Sequence, residues 1–143
     1  MAQNPNSILA LDVGAKRIGV AVASVVARLP HPLITLNADD ENLYVALQSI
    51  AEVENVVAIV VGYPRGMQGQ HTAQTTAIET FTEQLKQNFP LPIHFQDEAL
   101  TSKHAKAELE ARGRPYDKGD IDALAATYIL DDWINENQKA LAA

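Results

Sequence analysis

From Ile8 to Ser24 the chain reads I-L-A-L-D-V-G-A-K-R-I-G-V-A-V-A-S, two apolar runs around a polar turn at Gly14 to Arg17. Apolar runs joined by a short glycine-bearing turn predict a β-hairpin, with one strand over about 7–13 and a second over about 17–24. Apart from Asp12 the first run is apolar at every position, the pattern of a central strand covered on both faces. Gly19 falls inside the second strand, where a missing side chain permits close approach of another backbone. Val25 to Pro32 contains two prolines and reads as a loop, and Leu33 to Leu36 as a third, short strand.

Helical spacing follows. Leu43, Leu47, Ile50 and Val53 recur on one side of a segment from Asp39 to Val53, with Asp39 or Asp40 as N-cap. Val56 to Val61 is unbroken V-V-A-I-V-V, a buried parallel strand ending at Gly62. The glycine-rich loop Gly62 to Gln70 leads into a helix from about Thr72 to Asn88, whose core side is Ile78, Phe81 and Leu85. A strand over Ile93 to Gln96 ends in Asp97-Glu98, and helices are expected over Thr101 to about Ala111 and about Lys118 to Asn135. The order β-β-β-α-β-α-β-α-α joins an antiparallel meander to parallel crossovers and predicts an α/β sheet with helices on both faces. The 143 residues are expected to form one domain, with residues 1–6 disordered.

Composition narrows the chemistry. The chain has no cysteine, which removes disulfides, thiolate catalysis and Cys-ligated zinc, and its four histidines show no ligand spacing. A metal would then be held by carboxylates, which suit magnesium or manganese. No apolar run approaches the roughly 18–20 residues of a membrane span, and Met1 to Ser7 is polar, so the expectation is a soluble, cytoplasmic protein. The formal charge is −7, unevenly spread. Residues 37–55 carry five acids and no Lys or Arg, whereas residues 101–118 carry five cations against three acids. A local basic patch of that kind can receive a polyanion on an acidic molecule, or can be an ordinary solvated helix face.

Acids at the ends of apolar segments are the chemical candidates. Asp12 ends the first strand, Asp97 and Glu98 the last, and Asp122 begins the final helix on the stripe of Ala125, Ala126, Ile129 and Trp133. Each has an ordinary alternative: Asp12 as a turn acid accepting backbone N–H groups, Asp122 as a first-turn acid favoured by the helix dipole. Parallel strands put their carboxyl ends on one sheet edge, and a helix on the sheet face can deliver an acid there. Converging carboxylates repel, and a divalent cation resolves the repulsion while creating a site for attack of water on a phosphodiester. Lys16, Arg17, Arg65, Lys103 and Lys118 are the cations placed to hold flanking phosphates. The glycine-rich loop matches neither nucleotide-binding fingerprint.

Four ordered blocks carry a resemblance. D-V-G-A-K-R-I-G-V-A (Asp12 to Ala21), V-G-Y-P-R-G-M-Q-G (Val61 to Gly69), D-E-A-L-T-S (Asp97 to Ser102) and K-G-D-I-D-A-L-A-A-T-Y-I-L (Lys118 to Leu130) resemble the YqgF family. Members of that family are called RuvX-type Holliday junction resolvases or pre-16S rRNA nucleases. The resemblance implies an RNase H-like mixed five-stranded sheet and a metal-dependent nuclease, with the family's acids falling on Asp12, Glu98 and Asp122. Gly66, Gln68, Ala99, Ser102 and Asp120 depart from the family's usual residues, which bears on substrate affinity and leaves the three acids intact. The expected function is endonucleolytic cleavage of structured nucleic acid, with 5′-end processing of pre-16S rRNA ahead of Holliday junction resolution and of a non-catalytic RNA-binding module. The expected partner is precursor rRNA or branched DNA, bound by a monomer or weak homodimer, with no membrane.

Overall fold

The computed structural model describes residues 5–64, 72–98 and 101–138. Its elements are β1 (Ser7–Val13), β2 (Arg17–Ser24), β3 (His31–Asn37), α1 (Leu43–Val53), β4 (Val56–Pro64), α2 (Ala73–Asn88), β5 (Ile93–Glu98), α3 (Thr101–Arg112) and α4 (Lys118–Glu136). The strands form a five-stranded sheet in the order β3-β2-β1-β4-β5. The β1–β2 and β2–β3 pairs are antiparallel, and β1–β4 and β4–β5 are parallel. This is the mixed α/β sheet expected from the alternation of elements. Among the described residues no helix is long and apolar enough to cross a membrane.

Because side chains alternate along a strand, the central strands present two different faces. Leu9, Leu11, Ile18, Val20, Val22, Ile59 and Val61 pack with Leu43 and Leu47 of α1 and Ile78 and Leu85 of α2. Ile8, Ala10, Ala21, Ala23 and Val60 pack instead with Ala126, Ile129, Leu130, Trp133 and Ile134 of α4. The first face is bulky and the second small. α3 does not reach the sheet core; Ala105 and Leu109 pack on Leu124 and Ala125 of α4.

Three expectations need correction. α1 starts at Leu43 with Asn42 as its N-cap position, and Asp40 serves the preceding turn, its Oδ1 accepting from the Asn42 N–H at 2.9 Å. Asp is as well suited to such turns as to helix caps, so composition alone did not separate the two. Val53, placed on the apolar side, is 64% exposed because α1 ends there, beyond the sheet it covers. β3 is longer than Leu33 to Leu36: as the sheet edge it tolerates His31 and Pro32, residues that read as loop.

Candidate functional site

A row of residues crosses the α4 face of the sheet near one rim. Asp12 of β1 lies opposite Gly19 of β2, and Gly19 opposite Thr35 of β3. On the other side of β1 the last paired positions are Leu11 and Val61, so Gly62 follows at the level of Asp12. Gly62 is paired with Gln96 of β5, and Glu98, two residues on, projects to the same face.

The two glycines let side chains and backbone from other elements enter this row. A Cβ at Gly19 would overlap the main-chain carbonyl of Asp122 and lie 2.8 Å from the Ala123 nitrogen, so a bare backbone there lets the first turns of α4 seat directly on β2. A Cβ at Gly62 would lie 3.0 Å from Oε2 of Glu98 and 2.6 Å from Cδ1 of Ile129, so the Glu98 carboxylate occupies space a side chain would claim. Two further devices fix the entry of α4. The Thr35 hydroxyl donates to the Gly119 carbonyl at 2.6 Å. Asp117 and Asp120 form a capping box, Asp117 Oδ1 accepting from Asp120 N at 2.9 Å and Asp120 Oδ2 accepting from Asp117 N at 3.0 Å. Asp120 thus closes the helix N-terminus, where negative charge is favoured.

Asp12, Glu98 and Asp122 are brought to this rim. The Asp12 carboxyl is pushed up from 3.8 to about 7, first by burial and then by repulsion from Glu98 and Asp122. Asp122 has a cation of its own: the Arg17 Nε donates to its Oδ2 at 2.6 Å. Among the described residues no three His, Asp or Glu side chains stand assembled as a ready metal-binding group. The donor set nevertheless fits a hard divalent ion. It is all carboxylate oxygen, burial and then its neighbouring acids hold Asp12 partly protonated near neutrality, and it already carries one stand-in cation in the Arg17 guanidinium.

The other expected site residues divide. Asp97 is not brought to the group: it alternates with Glu98 along β5, opposite Tyr63 rather than over Gly62, and is exposed on the other side of the sheet. Lys16 is exposed in the β1–β2 turn, Lys103 is exposed in the first turn of α3, and Lys118 is exposed at the first residue of α4. These elements border the acid-bearing rim. Arg17 lines a cleft of about 670 Å³ between β3 and the first turn of α4, shared with Asn37, Asp117 and Asp120. Arg65, with Gly66, Gln68 and Ala99, lies outside the described residues. Gly62 and Thr35 are positioning residues that the sequence did not single out. A glycine in β4, level with the acid in β1, was the available signal, but Gly62 had been read as the strand's end, whereas β4 runs on to Pro64.

Known proteins of similar sequence and shape agree with this architecture. The profile of the family described as "RuvX: Holliday junction resolvase" matches residues 6–136. A protein of Pseudomonas putida named "Putative pre-16S rRNA nuclease" is 36% identical over 139 residues, covering 91% of this chain and 95% of the relative. A protein of the same name from Chloroflexus aggregans is 38% identical over 140 residues, covering 92% and 95%. Among solved structures, T. thermophilus RuvC in complex with Holliday junction substrate superposes with a TM-score of 0.54 at 14% identity, covering 91% of this chain and 95% of that one. The fowlpox virus Holliday junction resolvase gives 0.54 at 14% identity, covering 92% and 99%. At those identities the two structures establish the fold, an RNase H-like α/β sheet.

Proposed function

The chain belongs to the RuvX family, and from that premise we propose that it is a divalent-metal-dependent endonuclease acting on structured nucleic acid, with the 5′ end of pre-16S rRNA as its substrate. Asp12, Glu98 and Asp122 would hold magnesium or manganese. The observation that supports this most is the row of acids on the α4 face, where burial and then repulsion from Glu98 and Asp122 push Asp12 up to about 7. An isolated turn acid on Asp12 and a dipole acid on Asp122 would not repel one another in this way, and the dipole role at α4 is already taken by Asp117 and Asp120. When bound, such an ion would supply an activated water and neutralise the leaving oxygen.

The chain's own residues do the rest. Gly19 and Gly62 let Asp122 and Glu98 close on Asp12. Burial of Asp12 behind Ala10 and the α4 stripe limits water at that carboxylate and makes its charge costly until a cation arrives. Lys16, Lys103 and Lys118 bind backbone phosphates on either side of the scissile bond, and Arg65 extends that path. The 143 residues act as one nuclease domain, working in the cytoplasm as a monomer or weak homodimer.

The test is incubation of wild type and Asp12→Asn with a pre-16S rRNA 5′ leader and with a four-way DNA junction, each with manganese or EDTA. Wild type with manganese should cut the leader, and both the EDTA and the Asp12→Asn reactions should not. Symmetric cutting of the junction with the leader untouched would transfer the function to junction resolution. Equal RNA binding by wild type and variant, with no cleavage and no response to EDTA, would make this a non-catalytic RNA-binding module.

A further inference from the structure

Arg17 is attached to Asp122 but is not needed to attach α4. It lies on β2 two residues before Gly19, on the same face, and its Nε reaches Oδ2 of an acid 105 positions away at 2.6 Å. The helix is independently seated by the bare backbone at Gly19, the Thr35–Gly119 hydrogen bond, its capping box and its buried stripe. The ion pair is partly open to water, the Arg17 side chain being 38% and the Asp122 side chain 20% exposed, so the guanidinium can leave provided another cation takes its place on the carboxylate. On its far side the guanidinium borders the cleft between β3 and α4. A cation held this close to an oxygen that a divalent ion would need is a competitor for it, since both positive charges cannot share that oxygen without strong repulsion.

We propose that Arg17 is the resident counter-cation of Asp122, a positioning residue that yields the carboxylate to an incoming divalent ion and then turns toward the adjacent open cleft. The proposal rests on reading Asp12, Glu98 and Asp122 as ion ligands.

The experiment uses the full chain. The Arg17 side-chain Nε–H is followed by 15N NMR during a magnesium titration, and manganese affinity is measured by electron paramagnetic resonance for wild type, Arg17→Gln, Arg112→Gln and Asp12→Asn. The Arg17 resonance should leave its ion-paired position with the same midpoint as ion saturation. Arg17→Gln should bind manganese about three- to tenfold more tightly, the size expected for removing a partly exposed competing pair. Arg112→Gln, which removes a pair with Glu108 on α3, should bind as wild type does. If wild type binds the ion and Asp12→Asn loses it, yet the Arg17 resonance stays and Arg17→Gln is unchanged, the exchange is refuted while the metal site stands. If Asp12→Asn binds manganese as wild type does, the reading of the acids falls and the exchange with it. The NMR arm is read on wild type, so a poorly folding Arg17→Gln does not leave the exchange undecided.

Discussion

The two faces of the central strands are made from alternate residues of the same segments and serve different ends. Toward α1 and α2, β1 offers Leu9 and Leu11 and β2 offers Ile18, Val20 and Val22. Toward α4 the same strands offer Ala10, Asp12, Gly19, Ala21 and Ala23, with Ile8 the one large apolar side chain of β1 on that face. Large side chains bury more apolar area and hold the helices at ordinary distance; small ones give up area and let α4 lie close enough to set Asp122 beside Asp12. The difference teaches that the site depends on what was left out of one face. Asp12 is costly there, and the bulky face supplies the stability that tolerates it.

The comparison breaks most sharply at the acids themselves. Asp12→Asn or Asp122→Asn should lower metal-dependent cleavage at least 10³-fold, about 4 kcal/mol of transition-state stabilisation, in a single-turnover assay. Urea unfolding without metal should find Asp12→Asn as stable as wild type or more so, because it removes a crowded charge. Retained cleavage by either variant would take that acid out of the catalytic set.

Next come paired substitutions on opposite faces. Gly19→Ala must displace α4 from β2 and should cost roughly 3 kcal/mol or more, with cleavage lost even in the folded fraction. Leu11→Ala should cost a similar 2–5 kcal/mol by leaving a cavity, yet retain cleavage per folded molecule. Equal activity in the two variants would mean that the close seating of α4 has no part in the site.

The pH dependence is of the same order or smaller. With the folded-state carboxyl of Asp12 raised from 3.8 to about 7, the metal-free protein has the full contribution of neutral Asp12 below pH 3.8 and loses it as pH rises through 7. The loss amounts to a few kcal/mol and should vanish from the difference curve when Asp12→Asn is the reference. Ion affinity should run the opposite way, rising through pH 7 as the proton is removed. The smallest effect belongs far from either face: Arg112→Ala, which breaks a surface pair with Glu108 at i,i+4, should cost about 0.5 kcal/mol or less and leave cleavage alone.

Much of this was legible in the chain. The bounds of β1 and β2 followed from their apolar runs, and the placing of Asp122 along the packed side of α4 from the Ala125, Ala126, Ile129 and Trp133 stripe, all four of which are buried. Gly19 was marked as a point of close approach, though which backbone would use it was not, because that partner lies a hundred residues on. Asp97 and Glu98 could not be separated while the phase of β5 was unknown; the pairing of Gly62 with Gln96 sets that phase and turns Asp97 away. The Arg17–Asp122 pair was likewise hidden, since long-range ion pairs leave no periodic trace.

The central claim is that one ion draws on acids from β1, β5 and α4 on the small-residue face. Paramagnetic broadening of backbone amide resonances by substoichiometric manganese tests it directly. The account predicts broadening centred on Asp12, Gly19, Gly62, Glu98 and Asp122, falling off with distance toward α1, and absent in Asp12→Asn. Broadening centred elsewhere, or unchanged in Asp12→Asn, would contradict it.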